Sequence, residues 1–266
     1  MQVITSKDNE LVKNIKKLKE KKYRDLNNQF IVEGIKIVGE AIEENADIEY
    51  IVVCEDCIND GSLDKKLLYE IAKYKCIYVT EKIFATLTDV TNPQGILAVI
   101  NRNNIYNNID YNEELIIVLD GIQDPGNLGT ILRTVDSANL KQIIVSKDTA
   151  DGYNPKVVRS TMGGIFRVNI IKSDDLVETL KQLKNKGFEV VVTSLDTTTN
   201  IYNIHYNKKV IVIGNEANGV SQEIQNIADK KVIIPMLGKT ESLNAGVAAG
   251  VMIYEYVRGK IGDIRK

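Results

Sequence analysis

Short apolar runs alternate along the chain with helix-like stretches. Seven runs have the length and the Ile/Val content of strands: YIVVC (50–54), ILAVI (96–100), LIIVL (115–119), QIIVS (142–146), EVVVT (189–193), VIVI (210–213) and KVIIP (231–235). Helix-like patterns lie near 8–20, 34–45, 63–74, 127–139, 174–186, 220–228 and 242–258. Such alternation predicts an α/β fold with a parallel sheet covered on both faces. One stretch breaks the pattern. NRNNIYNNIDYNEE, from residue 101 to 114, is rich in asparagine and has almost no apolar periodicity. It predicts a linker at 101–112 between a small α/β unit, 1–100, and a larger one, 113–266.

The last helical pattern is unusual. Ala245, Gly246, Ala248, Ala249 and Gly250 crowd into it directly after a strand and a polar loop. Small residues fill a core poorly, and glycine weakens a helix. Their use here implies a close approach, either to a second chain or to another helix of the same one.

Composition narrows the chemistry. His205 is the only histidine, which removes His-based triads and multi-histidine metal sites,. Cys54 and Cys57 form C-x-x-C, but a second pair for zinc is missing, and VVC reads as a strand end rather than the helix start a redox motif uses,. Ordinary reduced cysteines and no metal are expected. No run approaches the 18 apolar residues a membrane span needs, and the first residues lack a signal-type apolar core, so a cytoplasmic protein with no membrane partner is expected,. The net charge is −2, yet Lys7 to Arg24 holds eight Lys/Arg against three Asp/Glu. That cluster is either a solvated helix face or a surface for phosphates.

In open α/β sheets ligands bind beyond the carboxyl ends of strands. The segments there are DGIQDPGNLGTILRTVDSAN, SLDTTT, GNEANGVS and MLGKTESLNAG, rich in Gly, Asn, Ser and carboxylates. Neither G-x-G-x-x-G nor G-x-x-x-x-G-K-[ST] is present,. Taken alone, DPGN reads as a turn with Asn127 capping the next helix, and GNEANG as a tight turn. Arg133 stands two turns into a helix whose apolar positions are Ile131, Leu132, Val135 and Ala138.

Together these segments resemble the three motifs of the SpoU (TrmH-like) branch of the SPOUT methyltransferases. NLGTILRTVDSAN is similar to the first, VIVIGNEANGVS to the second and IIPMLGKTESLNAGVAAGV to the third. NPKVVRSTMGGIFRV, 154–168, matches a further family segment, and the N-terminal part resembles the family's small ribosomal-protein-like α/β RNA-binding domain. The resemblance implies a C-terminal domain with a parallel sheet and a deep trefoil knot, and transfer of a methyl group from S-adenosylmethionine to a ribose 2′-hydroxyl in structured RNA. Large-subunit rRNA is the first expectation and tRNA the second; a catalytically silent RNA-binding protein is the rival. It implies catalytic roles for Asn127, Arg133, Glu216, Ser242 and Asn244, with Glu216 orienting Arg133 and Ser242 contacting the target or capping the last helix. Backbone contacts to the cofactor are implied at Thr193, Gly214, Ile234, Met236 and Leu243. A homodimer through the C-terminal domain is implied, with Ala245, Ala248, Ala249 and Gly250 as its face. The basic cluster Lys13, Lys16, Lys17, Lys19, Lys21, Lys22 and Arg24 becomes a phosphate-contacting surface, with Arg159 and Arg167 adding charge.

Overall fold

A computed structural model describes residues 3–59, 61, 63–102 and 108–264; residues 103–107 of the expected linker lie outside the described residues. The described chain divides into two compact units, one holding the residues up to 102 together with 153–166, the other holding 108–152 and 167–264.

The first unit contains β1 (Val3–Ile4), α1 (Glu10–Lys17), α2 (Lys21–Asn27), β2 (Gln29–Glu33), α3 (Ile35–Glu43), β3 (Ile48–Cys54), α4 (Glu55–Asn59), α5 (Lys65–Ile71), β4 (Cys76–Val79), α6 (Glu81–Leu87) and β5 (Ile96–Asn101). Its sheet has the order β1-β4-β3-β5-β2 and is mixed, because β5 runs antiparallel to both β3 and β2. An all-parallel sheet was expected from the alternation; β2, in NNQFIVEG, has no helix-length crossover signal of its own and is absent from the sequence-derived strands. The apolar stripe of α1 (Val12, Ile15, with Leu18 beyond it) and that of α6 (Ile83, Phe84, Leu87) are buried against Val52, Val79, Leu97 and Val99 of the sheet. Burial of each such side chain contributes about 1.5–3 kcal/mol.

The helix expected at 8–20 is α1, and a second helix that the pattern did not predict, α2, follows it. Asn9 caps α1 by accepting from Leu11 N–H, and α2 starts at Lys21. Arg24 ties them together. It is 2% exposed, and its Nη1 donates to the carbonyls of Leu18 at 2.9 Å and Lys19 at 2.7 Å. It therefore does not belong to a phosphate-contacting surface: its charge is spent on the chain's own carbonyls. Arg24→Gln is expected to lower stability by about 2–3 kcal/mol in chemical denaturation, the loss of buried charge-assisted bonds.

The C-x-x-C segment also differs from expectation. Cys54 ends β3 and α4 begins at the next residue, so the motif does open a short helix; a strand end and a helix start coincide. Cys54 is buried, and none of the three cysteines forms a disulfide.

The second stretch of chain runs through β6 (Leu115–Asp120), α7 (Pro125–Ser137), β7 (Gln142–Ser146), α8 (Pro155–Ser160), β8 (Asn169–Ser173), α9 (Leu176–Asn185), β9 (Glu189–Thr193), β10 (Lys209–Gly214), α10 (Gln222–Ile227), β11 (Lys230–Val232) and α11 (Ala245–Ile264). Of these, α8 lies in the segment 153–166 and packs with the first unit, on β2. There the Tyr153 ring lies 4.9 Å from that of Phe30 and 4.5 Å beneath the Arg102 guanidinium.

The six strands of the second unit form one parallel sheet, ordered β11-β9-β10-β6-β7-β8. Side chains alternate between its faces. Ile116, Val118, Ile144, Val190, Val192, Val210 and Val212 are buried with Leu176, Leu180 and Leu183 of α9 and Ile224 of α10. The opposite face, including Ile117, Leu119, Ile143 and Ile211, is covered by α7 and α11, which pack on each other. From β6 the chain steps outward through β7 and β8, then crosses to the other side for β9, β10 and β11. The order reverses between β6 and β10, where Gly214 pairs with Asp120. A ligand crevice opens beyond the strands at such a switch point.

β11 stops at Val232 rather than at Pro235. The N–H and carbonyl of Ile233 are taken by Thr199 and Ile201, and only an isolated bridge to Asn200 continues the strand.

Candidate functional site

Three chain segments meet beyond the switch point. After β6, Asp124 caps α7 by accepting from Asn127 N–H at 2.9 Å, and Pro125 occupies the first turn, where its missing N–H costs nothing,. The cap of α7 is therefore Asp124, not Asn127. Asn127 lies inside the first turn, 9% exposed. Its Nδ2 donates to Glu216 Oε1 at 2.8 Å, and its Oδ1 accepts from Asn244 Nδ2 at 2.9 Å. Asn244 Oδ1 accepts in turn from the N–H groups of Gly246 at 2.9 Å and Val247 at 3.2 Å, capping α11. The hydrogen bonds run in one direction, from the α11 N-terminus through two amides to a carboxylate. Each amide uses a donor and an acceptor, so the orientation of both is fixed by the network.

Glu216 also accepts from Gln123 N–H at 3.3 Å and Asp124 N–H at 3.4 Å. Burial by itself pushes its carboxyl upward, but the bonds from Asn127, its own backbone N–H, Gln123 and Asp124 outweigh that and hold its pKa below the ordinary value,. The sign follows: the network's contribution is complete above the ordinary glutamate range and is lost as pH falls through the lowered value.

The segment carrying Glu216 is shaped by residues the sequence reading passed over. Asn215 and Gly219 exchange backbone bonds of 3.0 and 2.9 Å, Asn215 Oδ1 accepts from Ala217 and Asn218, and Asn215 Nδ2 donates to the Gly121 carbonyl at 2.7 Å. Asp120 accepts from Ser221 N–H at 2.7 Å. The doubled-back chain passes so close to Gly214 that a Cβ there would lie 2.0 Å from the Gly219 carbonyl carbon and 2.1 Å from Val220 N. Asn215 stood inside the quoted motif, and Asp120 closes an apolar run; a polar residue at a strand's carboxyl end was the available signal for both.

The expected catalytic residues separate into two groups. Asn127, Glu216 and Asn244 are joined. Arg133 and Ser242 are exposed and have no hydrogen bond or ion pair to any of the three. Glu216 does not orient Arg133, since its oxygens are directed at Asn127 and the backbone of 123–124. Ser242 does not cap α11, because Asn244 does. Arg167 forms a bidentate pair with Asp136, Nε to Oδ1 at 3.0 Å and Nη2 to Oδ2 at 2.9 Å, and so holds its own unit together rather than offering free charge.

The expected cofactor residues all lie at the carboxyl edge of the sheet or in the loop before α11. Thr193 ends β9, with Oγ1 donating to the Val212 carbonyl at 3.2 Å, and Gly214 ends β10. From Ile234 to Leu243 no backbone or side-chain hydrogen bond to any described residue is formed, although Ile234, Met236 and Leu243 are half-buried. Half-buried backbone groups ordinarily find partners. A run of amides and carbonyls left open beside a parallel sheet fits the adenine and ribose of an adenosyl cofactor. Among the described residues no group of three or more His, Cys, Asp or Glu is placed to hold a metal ion.

A parallel sheet with a polar constellation and open backbone at its switch point defines an α/β protein built to hold a nucleotide-like ligand there. Residues 114–254 match the SpoU rRNA Methylase family, and residues 9–98 match the MRM3-like substrate binding domain. The chain belongs to the SpoU rRNA methylase family. It is 31% identical over 265 residues to the 23S rRNA (guanosine(2553)-2′-O)-methyltransferase RlmP of Bacillus subtilis (strain 168), covering 97% of this chain and 100% of that one. It is 33% identical to the 23S rRNA (guanosine-2′-O-)-methyltransferase RlmB of Xylella fastidiosa (strain 9a5c), over 87% of this chain and 96% of the relative. Among solved structures, the AdoMet-bound rRNA methyltransferase from Sinorhizobium meliloti superimposes with a TM-score of 0.85 at 30% identity, covering 97% of this chain and 98% of that chain.

Proposed function

We propose that this chain is an S-adenosylmethionine-dependent RNA methyltransferase that modifies a ribose 2′-hydroxyl in large-subunit rRNA. The observation that carries the reading is the Asn127–Glu216–Asn244 network, assembled from three distant segments at the switch point of a SpoU-family sheet. Bound S-adenosylmethionine supplies a methyl group already activated on a sulfonium. The open backbone at Ile234, Met236 and Leu243, with Thr193 and Gly214, would hold it. Asn127 and Asn244 fix the position of the loops around the ribose. Glu216 stays ionised and anchors that network. Arg133 presents a planar fork of N–H donors and no acceptor. It clamps a neighbouring phosphate and stabilises negative charge developing on the 2′-oxygen, while phosphate or water takes the proton. Ser242 contacts the target. The chain from Ile234 onward threads a trefoil knot, the family's arrangement, and the protein works in the cytoplasm; among the described residues no helix is long and apolar enough to cross a membrane.

The test is transfer of tritiated methyl from S-adenosylmethionine to total rRNA or tRNA from a strain lacking the modification. Label in 23S rRNA, mapped as a 2′-O-methyl nucleotide, is expected. Label in tRNA alone would change the substrate, and no label in either would leave a silent RNA-binding protein.

Residues 1–100 position the RNA. With Arg24 buried and Lys19 bonded to Asp89 and to the Thr88 carbonyl, the lysines left for phosphates centre on Lys16, Lys17 and Lys22, the last two lying 5.6 and 5.7 Å from the Tyr23 ring centroid. Changing all three to glutamine is expected to reduce the slope of log affinity against log salt by about 2, at roughly 0.7 per lost single-strand phosphate contact. An unchanged slope would move the RNA elsewhere.

The working form is a homodimer through α11. Ala245 and Ala249 are buried within the chain, and a Cβ at Gly246 would lie 3.3 Å from Thr130 of α7, so these small residues serve the α7–α11 approach. α11 instead exposes Val247, Tyr254 and Ile261, each 45–51% exposed and spaced by seven residues, with the Tyr254 hydroxyl 3.2 Å from Ser137 Oγ of α7. Val247→Glu with Tyr254→Lys is expected to halve the mass measured by light scattering after size exclusion. A wild-type monomer would remove the dimer.

A further inference from the structure

The first unit holds a cavity of about 140 Å³ whose walls include Glu33, Lys36, Glu40, Gln94, Arg159 and Met162. It lies where α3 begins, and the segment 153–166 forms part of it. Its polar groups are of both signs and are partly committed. Glu33 Oε1 accepts from Thr88 Oγ1, while its second oxygen has no hydrogen-bond partner among the described residues. Burial is the largest influence on Glu33 and raises its pKa, so this carboxylate is short of donors,. Arg159 makes no hydrogen bond to a described side chain and acts on Glu33 only through space. The Gln94 carbonyl oxygen is occupied by Ile35 N–H at 2.9 Å, which leaves its amide hydrogens as donors. Met162 is 42% exposed and sits at φ +51°, a conformation that a non-glycine residue adopts only when its surroundings enforce it,. It is held out at the rim between buried Thr161 and buried Gly163.

We propose that this cavity receives one unpaired guanine base of the RNA: the Glu33 carboxylate accepts from N1–H and N2–H₂, Arg159 donates to O6 and N7, and Met162 covers the ring face. The inference rests on the RNA-binding reading given above. The volume suits a single planar base rather than a whole nucleotide. The choice of base follows from the pattern of donors. A carboxylate has two acceptor oxygens side by side. Guanine has two adjacent donors on its Watson–Crick edge, whereas adenine and cytosine each set a donor beside an acceptor and uracil sets its one donor between two carbonyls. Guanine also offers O6 and N7 to arginine, the commonest base-specific contact. Single-stranded bases are read in this way when they are splayed out of a helix.

The test is fluorescence anisotropy with the full chain and labelled uridine decamers carrying one central guanosine, adenosine or inosine. The guanosine decamer is expected to bind about tenfold more tightly than the adenosine one, with inosine, which lacks the N2 amine, in between. In Glu33→Gln, and separately in Arg159→Gln, the three affinities are expected to converge within about twofold while the all-uridine decamer binds as before. Equal binding of guanosine and adenosine decamers by the unaltered chain would overturn the proposal and leave the RNA-binding reading intact. So would a guanosine preference that survives both variants. Competition by guanosine 5′-monophosphate as strong, mole for mole, as by unlabelled guanosine decamer would assign the cavity to a free nucleotide instead. No binding of any decamer or of rRNA would defeat both readings together.

Discussion

Arg133→Ala is expected to lower kcat about 10²–10³-fold, the usual consequence of removing a group that stabilises developing charge. Arg133 is exposed on α7, about 9 Å along the axis from Asn127, and no described residue bonds it,. It is therefore free for a ligand, and its loss leaves no buried partner uncompensated. Stability and donor binding are expected to stay unchanged. Arg133→Lys retains the charge but not the planar fork that grips two oxygens at once, so most of the loss is expected there too. Single-turnover methyl transfer with saturating donor and RNA measures the effect, and calorimetric titration of S-adenosylmethionine provides the control. Near-normal turnover in Arg133→Ala would take Arg133 out of the chemistry altogether.

Gly214→Ala has the largest expected structural effect. The added methyl would meet Gly219 and Val220 backbone at about 2 Å, and backbone does not swing aside as a flexible side chain does. The bonds between Asn215 and Gly219 must open, and Glu216, which rides on that turn, must leave Asn127. A loss of about 3 kcal/mol, roughly 6–12 °C in melting temperature, is expected from overpacking on this scale. Methyl transfer should disappear with it. Gly219→Ala is the contrast. Nothing lies within 4 Å of a Cβ there, but φ is +67°, so the expected cost is only the strain of that conformation, about 1 kcal/mol,. Equal melting temperatures for Gly214→Ala and the unaltered chain would mean that the turn does not close over residue 214.

Much of the sheet of the second unit was legible. QIIVS and EVVVT are β7 and β9 to the residue, because a strand buried on both faces must be a continuous apolar run,. The edge strands β1, β8 and β11 and the short inner strand β4 were harder. β1, β4 and β8 are short or carry polar residues, so they lack that signature, and β11 is shorter than its apolar run because residues 199–201 take the backbone of Ile233. At the site, Asn127, Glu216 and Asn244 were singled out by their motifs, but the roles assigned to individual groups were partly wrong. Capping fell to Asp124 and Asn244, and Glu216 turned to Asn127 instead of Arg133. Several neighbouring polar residues each satisfy the local rule for a cap, and a one-dimensional pattern does not say which of them lies over the free N–H groups.

By itself the sequence determined the strands that are continuous apolar runs, the helices with a clear amphipathic pattern, and which family the motifs resemble. These are local properties, fixed by residue spacing and by backbone preferences within a few positions. The tertiary structure alone decided that β10 inserts beside β6, that residues 89 and 117 positions apart share one hydrogen-bond chain, and that Arg24 is buried while Lys16, Lys17 and Lys22 are not. Strand order and burial depend on the packing of all elements at once, and polar groups choose partners only after that packing has set which of them water can no longer reach.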